Sequence, residues 1–96
     1  MQVKVMERTP NELKIEVEGE GHTFCNLLES VLLEDRKVEF ASYDISHPLI
    51  SSPSVTIRTK GNEKPEEVLK RAVEKILQRG KELGEAFANA LKEETK

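Results

Sequence analysis

The sequence contains little cysteine and few aromatic residues. It has one cysteine, no tryptophan, one tyrosine and three phenylalanines in 96 residues. A single cysteine excludes a disulfide within the chain, and the N-terminus shows no apolar export signal, so we expect a reducing cytoplasm as the location. Few aromatic rings leave little material for stacking on bases, which argues against a protein that binds nucleic acid by itself.

An excess of positive charge and long apolar runs are also lacking. The chain has 15 Lys and Arg residues against 18 Asp and Glu residues, a net charge of −3. Binding to nucleic acid depends on Lys and Arg that neutralise phosphates, so direct binding is not expected. No run approaches the roughly 18 apolar residues of a membrane-spanning helix. The length suits one domain over residues 1–96.

Apolar residues recur with two periods, which divide the chain into strands and helices. Alternation before and after a turn at Thr9-Pro10 predicts a β-hairpin, and alternation in 38–45 and 55–60 predicts two more strands, with an irregularity near Ala41-Ser42. Helical spacing predicts helices at about 23–35 and from 65 to about 92. The order β-β-α-β-β-α predicts a two-layer α+β fold, with a mostly antiparallel four-stranded sheet and two helices on one face.

Polar residues surround the start of the first predicted helix. Thr23 lies where the period changes and is predicted to be the N-cap, with Asn26 reaching back to it. A contact of His22 and Asn26 with a partner or ligand is the alternative to this local capping. Cys25 lies three residues from His22, but its apolar neighbours favour a buried cysteine over a nucleophile or a metal ligand. We expect no catalytic residue, metal or cofactor.

The last predicted helix carries more apolar surface than the chain itself can cover. It would be about 42 Å long, whereas a compact chain of this size has a radius of gyration of about 12–13 Å. Its apolar residues continue at the spacing of a coiled-coil seam, so we predict that its second half binds another protein. Gly80 lies either at a close contact with that partner, together with Gly84, or at the helix end as a C-cap.

The predicted partner interface includes both helices. On the first helix it comprises Phe24, Leu27, Leu28 and Val31. On the last helix it comprises Val73, Ile76, Gly80, Leu83, Gly84, Phe87 and Leu91.

Three stretches of the chain carry a family resemblance. Residues 19–28 read G-E-G-H-T-F-C-N-L-L, residues 38–49 read V-E-F-A-S-Y-D-I-S-H-P-L, and residues 55–60 read V-T-I-R-T-K ahead of the long helix. In this order they resemble the small alpha-like subunit of multisubunit RNA polymerases, called subunit L in archaea, with its motifs G-E-D-H-T-L-G-N-L-L and V-x-F-A-x-Y-x-x-x-H-P-L. The matching motif residues are His22, Thr23, Asn26, His47 and Pro48. Gly21 replaces the usual acid and Cys25 the usual glycine.

The resemblance implies a role in assembly. In this family the chain pairs with a larger alpha-like subunit, which carries the letter D in archaea, and the pair is the platform on which the two large catalytic subunits assemble. Magnesium and nucleotide chemistry belong to those large subunits. The resemblance therefore implies a non-catalytic subunit of the archaeal DNA-directed RNA polymerase, active in transcription. A stand-alone homodimeric binding domain is the alternative, and a small enzyme with Cys25 as nucleophile is a more distant one.

Overall fold

The structure is a computed structural model that describes residues 2–19, 21–44 and 52–94. His47 and Pro48, two of the predicted motif residues, lie outside this range. Four strands and two helices follow one another as β1 (Gln2–Arg8), β2 (Glu12–Glu18), α1 (His22–Leu33), β3 (Val38–Asp44), β4 (Ser54–Thr59) and α2 (Pro65–Glu94). The predicted order of elements and the α+β fold class are confirmed.

The four strands form one sheet in the order β1-β2-β4-β3, and each pair of neighbours is antiparallel. The turn between β1 and β2 is closed by the backbone N–H of Thr9, which donates to the carbonyl of Glu12 at 2.8 Å. Asn11 then ties the turn to the end of β4, because its amide Nδ2 donates to the carbonyl of Gly61 at 2.7 Å. The predicted hairpin is confirmed, and β4 is inserted between β2 and β3.

The predicted irregularity near Ala41-Ser42 is wrong in position. The register of β3 against β4 shifts between Val38 and Phe40, whereas Ala41 stays directly opposite Ile57. Val38 and Ala41 are both buried although they are three residues apart. Strict alternation would put them on opposite faces, so a bulge between them is what turns both toward the core.

The core lies between one face of the sheet and the two helices. Alternate residues of β2 and β4 are buried on this face, which is the pattern of a sheet covered on one side. α1 packs on β3 and on α2, and α2 packs on β4 and β2. The buried core residues are Leu13, Ile15, Val17, Cys25, Leu28, Val31, Leu32, Val38, Ala41, Val55, Ile57, Val68 and Ala72.

The start of α1 differs from the prediction. The helix occupies residues 22–33, Gly21 is its N-cap, and no side chain forms a hydrogen bond at the cap. Thr23 lies inside the first turn and is exposed, as is Asn26. The predicted capping by Thr23 and Asn26 is therefore wrong. Gly21 takes the N-cap position, with extended backbone angles, and its carbonyl accepts the N–H of Cys25 at 3.3 Å.

α2 projects from the rest of the chain, as its length predicts. Its 30 residues span about 45 Å at a rise of about 1.5 Å per residue. The longest dimension of the molecule is 55 Å and the radius of gyration is 16.1 Å, well above the value for a compact chain of this length. The helix continues through Gly80 and Gly84, which excludes the alternative that Gly80 is a C-cap.

Candidate partner-binding surface on the second helix

The two halves of α2 have different surroundings. In the first three turns Val68 and Ala72 are buried against the chain's own sheet, and Leu69 and Ile76 are half-buried beside them. From Leu77 to Glu93 every residue is exposed. Proline at the first position and two glutamates in the first turn suit the start of a helix, because proline has no N–H to leave unpaired and carboxylates favour the positive end of the helix dipole.

The exposed half of α2 has a wide face without charge. At about 100° per residue, the charged and amide side chains between residues 80 and 93 fall on one arc of about 120°. These polar residues are Lys81, Glu82, Glu85, Asn89, Lys92 and Glu93. The remaining arc, named the apolar face of α2, consists of Gly80, Leu83, Gly84, Ala86, Phe87, Ala88, Ala90 and Leu91.

Three large side chains of the apolar face are strongly exposed. Leu83, Phe87 and Leu91 are 58%, 60% and 63% exposed. Such residues scattered singly are normal on a protein surface, but a contiguous row of them is typical of an interaction site. The row follows the predicted seam, and Val73 at 41% exposed continues it toward the sheet.

The two glycines of the apolar face have no role in packing within the chain. A Cβ atom built on Gly80 or Gly84 meets no heavy atom within 4 Å. Glycine inside a helix costs about 1 kcal/mol relative to alanine, so the chain by itself would be more stable with alanine at both positions. A missing side chain does let another backbone approach closely, which fits a helix–helix contact with a second chain.

The first helix contributes less to this surface than predicted. Leu28 and Val31 are 2% and 1% exposed, so they belong to the chain's own core and are removed from the predicted interface. Leu27 is 45% exposed and Phe24 is half-buried, and both stay available to a partner. Periodicity could not separate these residues, because Leu27 and Leu28 lie on neighbouring positions of one broad apolar face.

Ion pairs connect α2 to residues at the end of α1 and just before α2. The Arg71 guanidinium donates to Asp35 at 2.9 Å and also contacts Glu63 at 2.8 Å. Two turns further on, Arg79 forms a two-pronged pair with Glu34, with one of its bonds at 2.9 Å. Hydrogen bonds from Arg71 lower the pKa of Asp35, and those from Arg79 lower the pKa of Glu34.

These pairs occupy one edge of α2. Arg71 and Arg79 lie eight residues apart, on neighbouring rows of the helix, toward the end of α1. Exposed ion pairs contribute little stability individually. The two-pronged Arg79–Glu34 pair and the contacts of Arg71 with Asp35 and Glu63 link α2 to residues at the end of α1 and just before α2.

Other chemistry has little support in the part of the chain that the structure describes. Cys25 is completely buried, so its thiol does not meet a substrate at the surface. Across residues 2–19, 21–44 and 52–94, no three His, Cys, Asp or Glu residues are grouped so as to hold a metal ion. The described helices include none with the length and apolar character needed to cross a membrane.

Comparison with protein families gives this surface a context. Residues 12–86 match the model of the RNA polymerase Rpb3/Rpb11 dimerisation domain. The chain belongs to this family. The match includes β2, the whole of α1 and α2 as far as Ala86, so Phe87 and Leu91 of the predicted interface lie beyond it.

Archaeal members of the Rpb3/Rpb11 family align along nearly the whole chain. DNA-directed RNA polymerase subunit Rpo11 of Methanococcoides burtonii is 41% identical over 95% of this chain and 99% of its own length. Rpo11 of Pyrococcus furiosus is 40% identical over 96% of this chain and 99% of its own. The crystal structure of DNA-directed RNA polymerase subunit L from Thermoplasma acidophilum superposes with a TM-score of 0.82, at 31% identity, covering 92% of this chain and 86% of that chain. The resemblance to the small alpha-like subunit is confirmed.

Several exposed apolar residues were not predicted from the sequence. They are Val3, Val5, Met6, Leu33, Phe40 and Leu77, each between 44% and 68% exposed. Phe40 has a partner, since the Arg58 guanidinium lies 5.9 Å from its ring centroid. The alternation in β1 predicted that Val3 and Val5 share a face. The local sequence pattern did not indicate that this face would stay exposed.

Proposed function

We propose that this chain is the small alpha-like assembly subunit of an archaeal DNA-directed RNA polymerase. It would act as one dimerisation unit over residues 1–96 and pair through α2 with the larger alpha-like subunit of that enzyme. The pair would form the platform on which the large catalytic subunits assemble, in the cytoplasm. The observation that carries this proposal is the exposed, charge-free face of α2 in a chain that belongs to a family of dimerisation domains.

Helix stability supports a partner for α2. From Leu77 to Glu93 every residue of α2 is exposed, so burial of apolar side chains within the chain contributes little to the stability of this half. Most helical stability in proteins comes from tertiary packing of an amphipathic face. Burying a leucine or phenylalanine side chain contributes about 1.5–3 kcal/mol. A partner that covers Leu83, Phe87 and Leu91 would supply the apolar burial that this half of α2 does not obtain within its own chain.

The proposed role is structural and not catalytic. Cys25 is buried, and the carboxylates of Glu34 and Asp35 are engaged in ion pairs with arginines of α2. An acidic chain with few aromatic residues also gives little support for direct binding to nucleic acid. Nucleotide chemistry is accordingly assigned to the large subunits of the complex.

Mixing the purified chain with the larger alpha-like subunit from the same organism tests this function. We expect a 1:1 heterodimer by light scattering, and no template-dependent RNA synthesis by the chain or the pair without the large subunits. A stable homodimer that does not bind the larger alpha-like subunit would favour the stand-alone binding domain instead. RNA synthesis by the rigorously purified chain would overturn the non-catalytic role.

Replacing Gly80 by leucine should weaken heterodimer formation by more than about tenfold, because the new side chain would hold the two helices apart. Gly80→Ala is the first control: it should raise the thermal midpoint of the isolated chain, since alanine is favoured over glycine by about 1 kcal/mol in a helix. Glu85→Leu is the second control, because it places the same side chain on the polar arc. Equal dissociation constants for wild type, Gly80→Leu and Glu85→Leu would exclude Gly80 from the contact.

A further inference from the structure

The sheet has an apolar strip on its helix-covered side that neither helix covers. Val3 lies directly opposite Val17 and Val5 directly opposite Ile15, so all four side chains share one face of the sheet. Val17 and Ile15 are 1% and 3% exposed, whereas Val3 and Val5 are 55% and 57% exposed. The strip, which consists of Val3 and Val5, lies on the edge strand β1, and both residues remain exposed.

The strip adjoins the side of α2 that continues into the apolar face. Arg8 Nε at the end of β1 donates to Glu66 Oε1 in the first turn of α2 at 2.8 Å. Leu69 and Val73 follow Glu66 by three and seven residues, so they lie on the same side of the helix. Gly80 lies a further seven residues on and keeps this side.

β1 and α2 run in opposite directions, so Val5 and Val73 lie at similar distances from the Arg8–Glu66 contact. β1 runs parallel to β4, since each is antiparallel to β2, and α2 runs back along the sheet after the short connection from β4. From the Arg8–Glu66 contact, Val5 is about 10 Å away along the strand and Val73 about 10 Å away along the helix. The strip and the apolar side of α2 therefore form the two sides of the angle between the sheet and the helix.

We infer that a helix of the larger alpha-like subunit lies in this angle, against Val3 and Val5 on one side and Leu69 and Val73 on the other. The inference rests on the proposed function, because it takes the dimer partner from it. Val3, Val5 and Val73 are all exposed apolar residues, so a single partner that lies between the strip and α2 could contact all three. The matched dimerisation model begins at residue 12, so β1 lies outside the matched range.

A helix fits this place better than an added strand. Val3 and Val5 project into the layer that α1 and α2 already occupy, and a sheet face is covered in that layer by helices. The edge of β1 itself is poorly suited to strand pairing. It carries the charged residues Lys4, Glu7 and Arg8, and its register shifts between Val5 and Glu7. Charged side chains and a bulge both disfavour the pairing of another strand with an edge.

Substitution of Val5 tests the inference. Val5→Lys should weaken binding to the larger alpha-like subunit at least about tenfold, and Val5→Thr, which keeps the β-branched shape, should weaken it about threefold. Gln2→Lys is the matched control, because Gln2 lies on the same strand but pairs with Glu18 on the opposite face. Both positions are exposed, so the thermal midpoint of the isolated chain should change little. Binding by both Val5 variants equal to that of Gln2→Lys would overturn the inference.

The outcomes separate the inference from the proposed function. If the wild-type chain does not bind the larger alpha-like subunit, the proposed function fails and the inference with it. If the wild type binds and only substitutions on the apolar face of α2 weaken binding, the function stands and the strip is not part of the interface.

A photo-reactive phenylalanine analogue at position 5 gives a second readout. Cross-links to a helical segment of the larger alpha-like subunit in the heterodimer support the inference. Cross-links to a large catalytic subunit alone, in the assembled polymerase, overturn it.

Discussion

Replacing Phe87 by alanine should weaken binding to the larger alpha-like subunit by about 30-fold or more. Phe87 lies near the middle of the apolar face and is 60% exposed in this chain. Aromatic residues at the centre of an interface often contribute about 2 kcal/mol or more when truncated, and about 1.4 kcal/mol corresponds to a factor of ten. Titration calorimetry of wild type and variant against the larger alpha-like subunit measures the difference directly.

The Phe87 experiment has a control two residues along the same helix. Asn89 lies on the polar arc of α2, so Asn89→Ala should bind the larger alpha-like subunit as the wild type does. Both positions are exposed, and neither substitution should lower the thermal midpoint of the isolated chain by more than a few degrees. A Phe87→Ala variant that binds as tightly as Asn89→Ala would show that this part of α2 is outside the interface.

Replacing Leu32 by alanine should destabilise the fold by about 2–5 kcal/mol, the range for a large residue removed from a packed core. Leu32 belongs to α1 and is completely buried in the core. Total stabilities of proteins are about 5–15 kcal/mol, so this one change would remove a large fraction. Urea denaturation followed by circular dichroism gives the midpoint and the free energy of unfolding.

Leu33 supplies the matched control for Leu32. It is the next residue on the same helix and is 55% exposed. Leu33→Ala removes the same atoms from an exposed position, and alanine has a high helix propensity. The urea midpoint of this variant should therefore stay close to that of the wild type. Similar losses of stability in both variants would contradict the packing of α1 against the sheet.

The start of α1 shows where local signals were misleading. Thr23 has the chemistry of an N-cap and lies at the change of period, but the cap is Gly21, two residues earlier, and the helix begins at His22. Glycine is also acceptable at this position, so composition alone did not decide between the two.

The burial of α1 residues shows a second limit. Phe24, Leu27, Leu28 and Val31 repeat at helical spacing, and that spacing indicates an apolar face of α1. The structure divides the face, with Leu28 and Val31 in the core and Leu27 exposed at its margin. The division depends on where β3 and α2 lie, and both come later in the chain.

The sequence by itself determined the types and order of the elements, the hairpin, and a last helix too long for its own sheet. These follow from periods of about 2.0 and 3.6 residues, which are local properties of the chain. Only the tertiary structure decided that β4 lies between β2 and β3, that Gly80 continues the helix, and that Val3 and Val5 stay bare. Alternation in a strand shows which residues share a face, but coverage of that face depends on strand order and helix placement, which are set by contacts between distant parts of the chain.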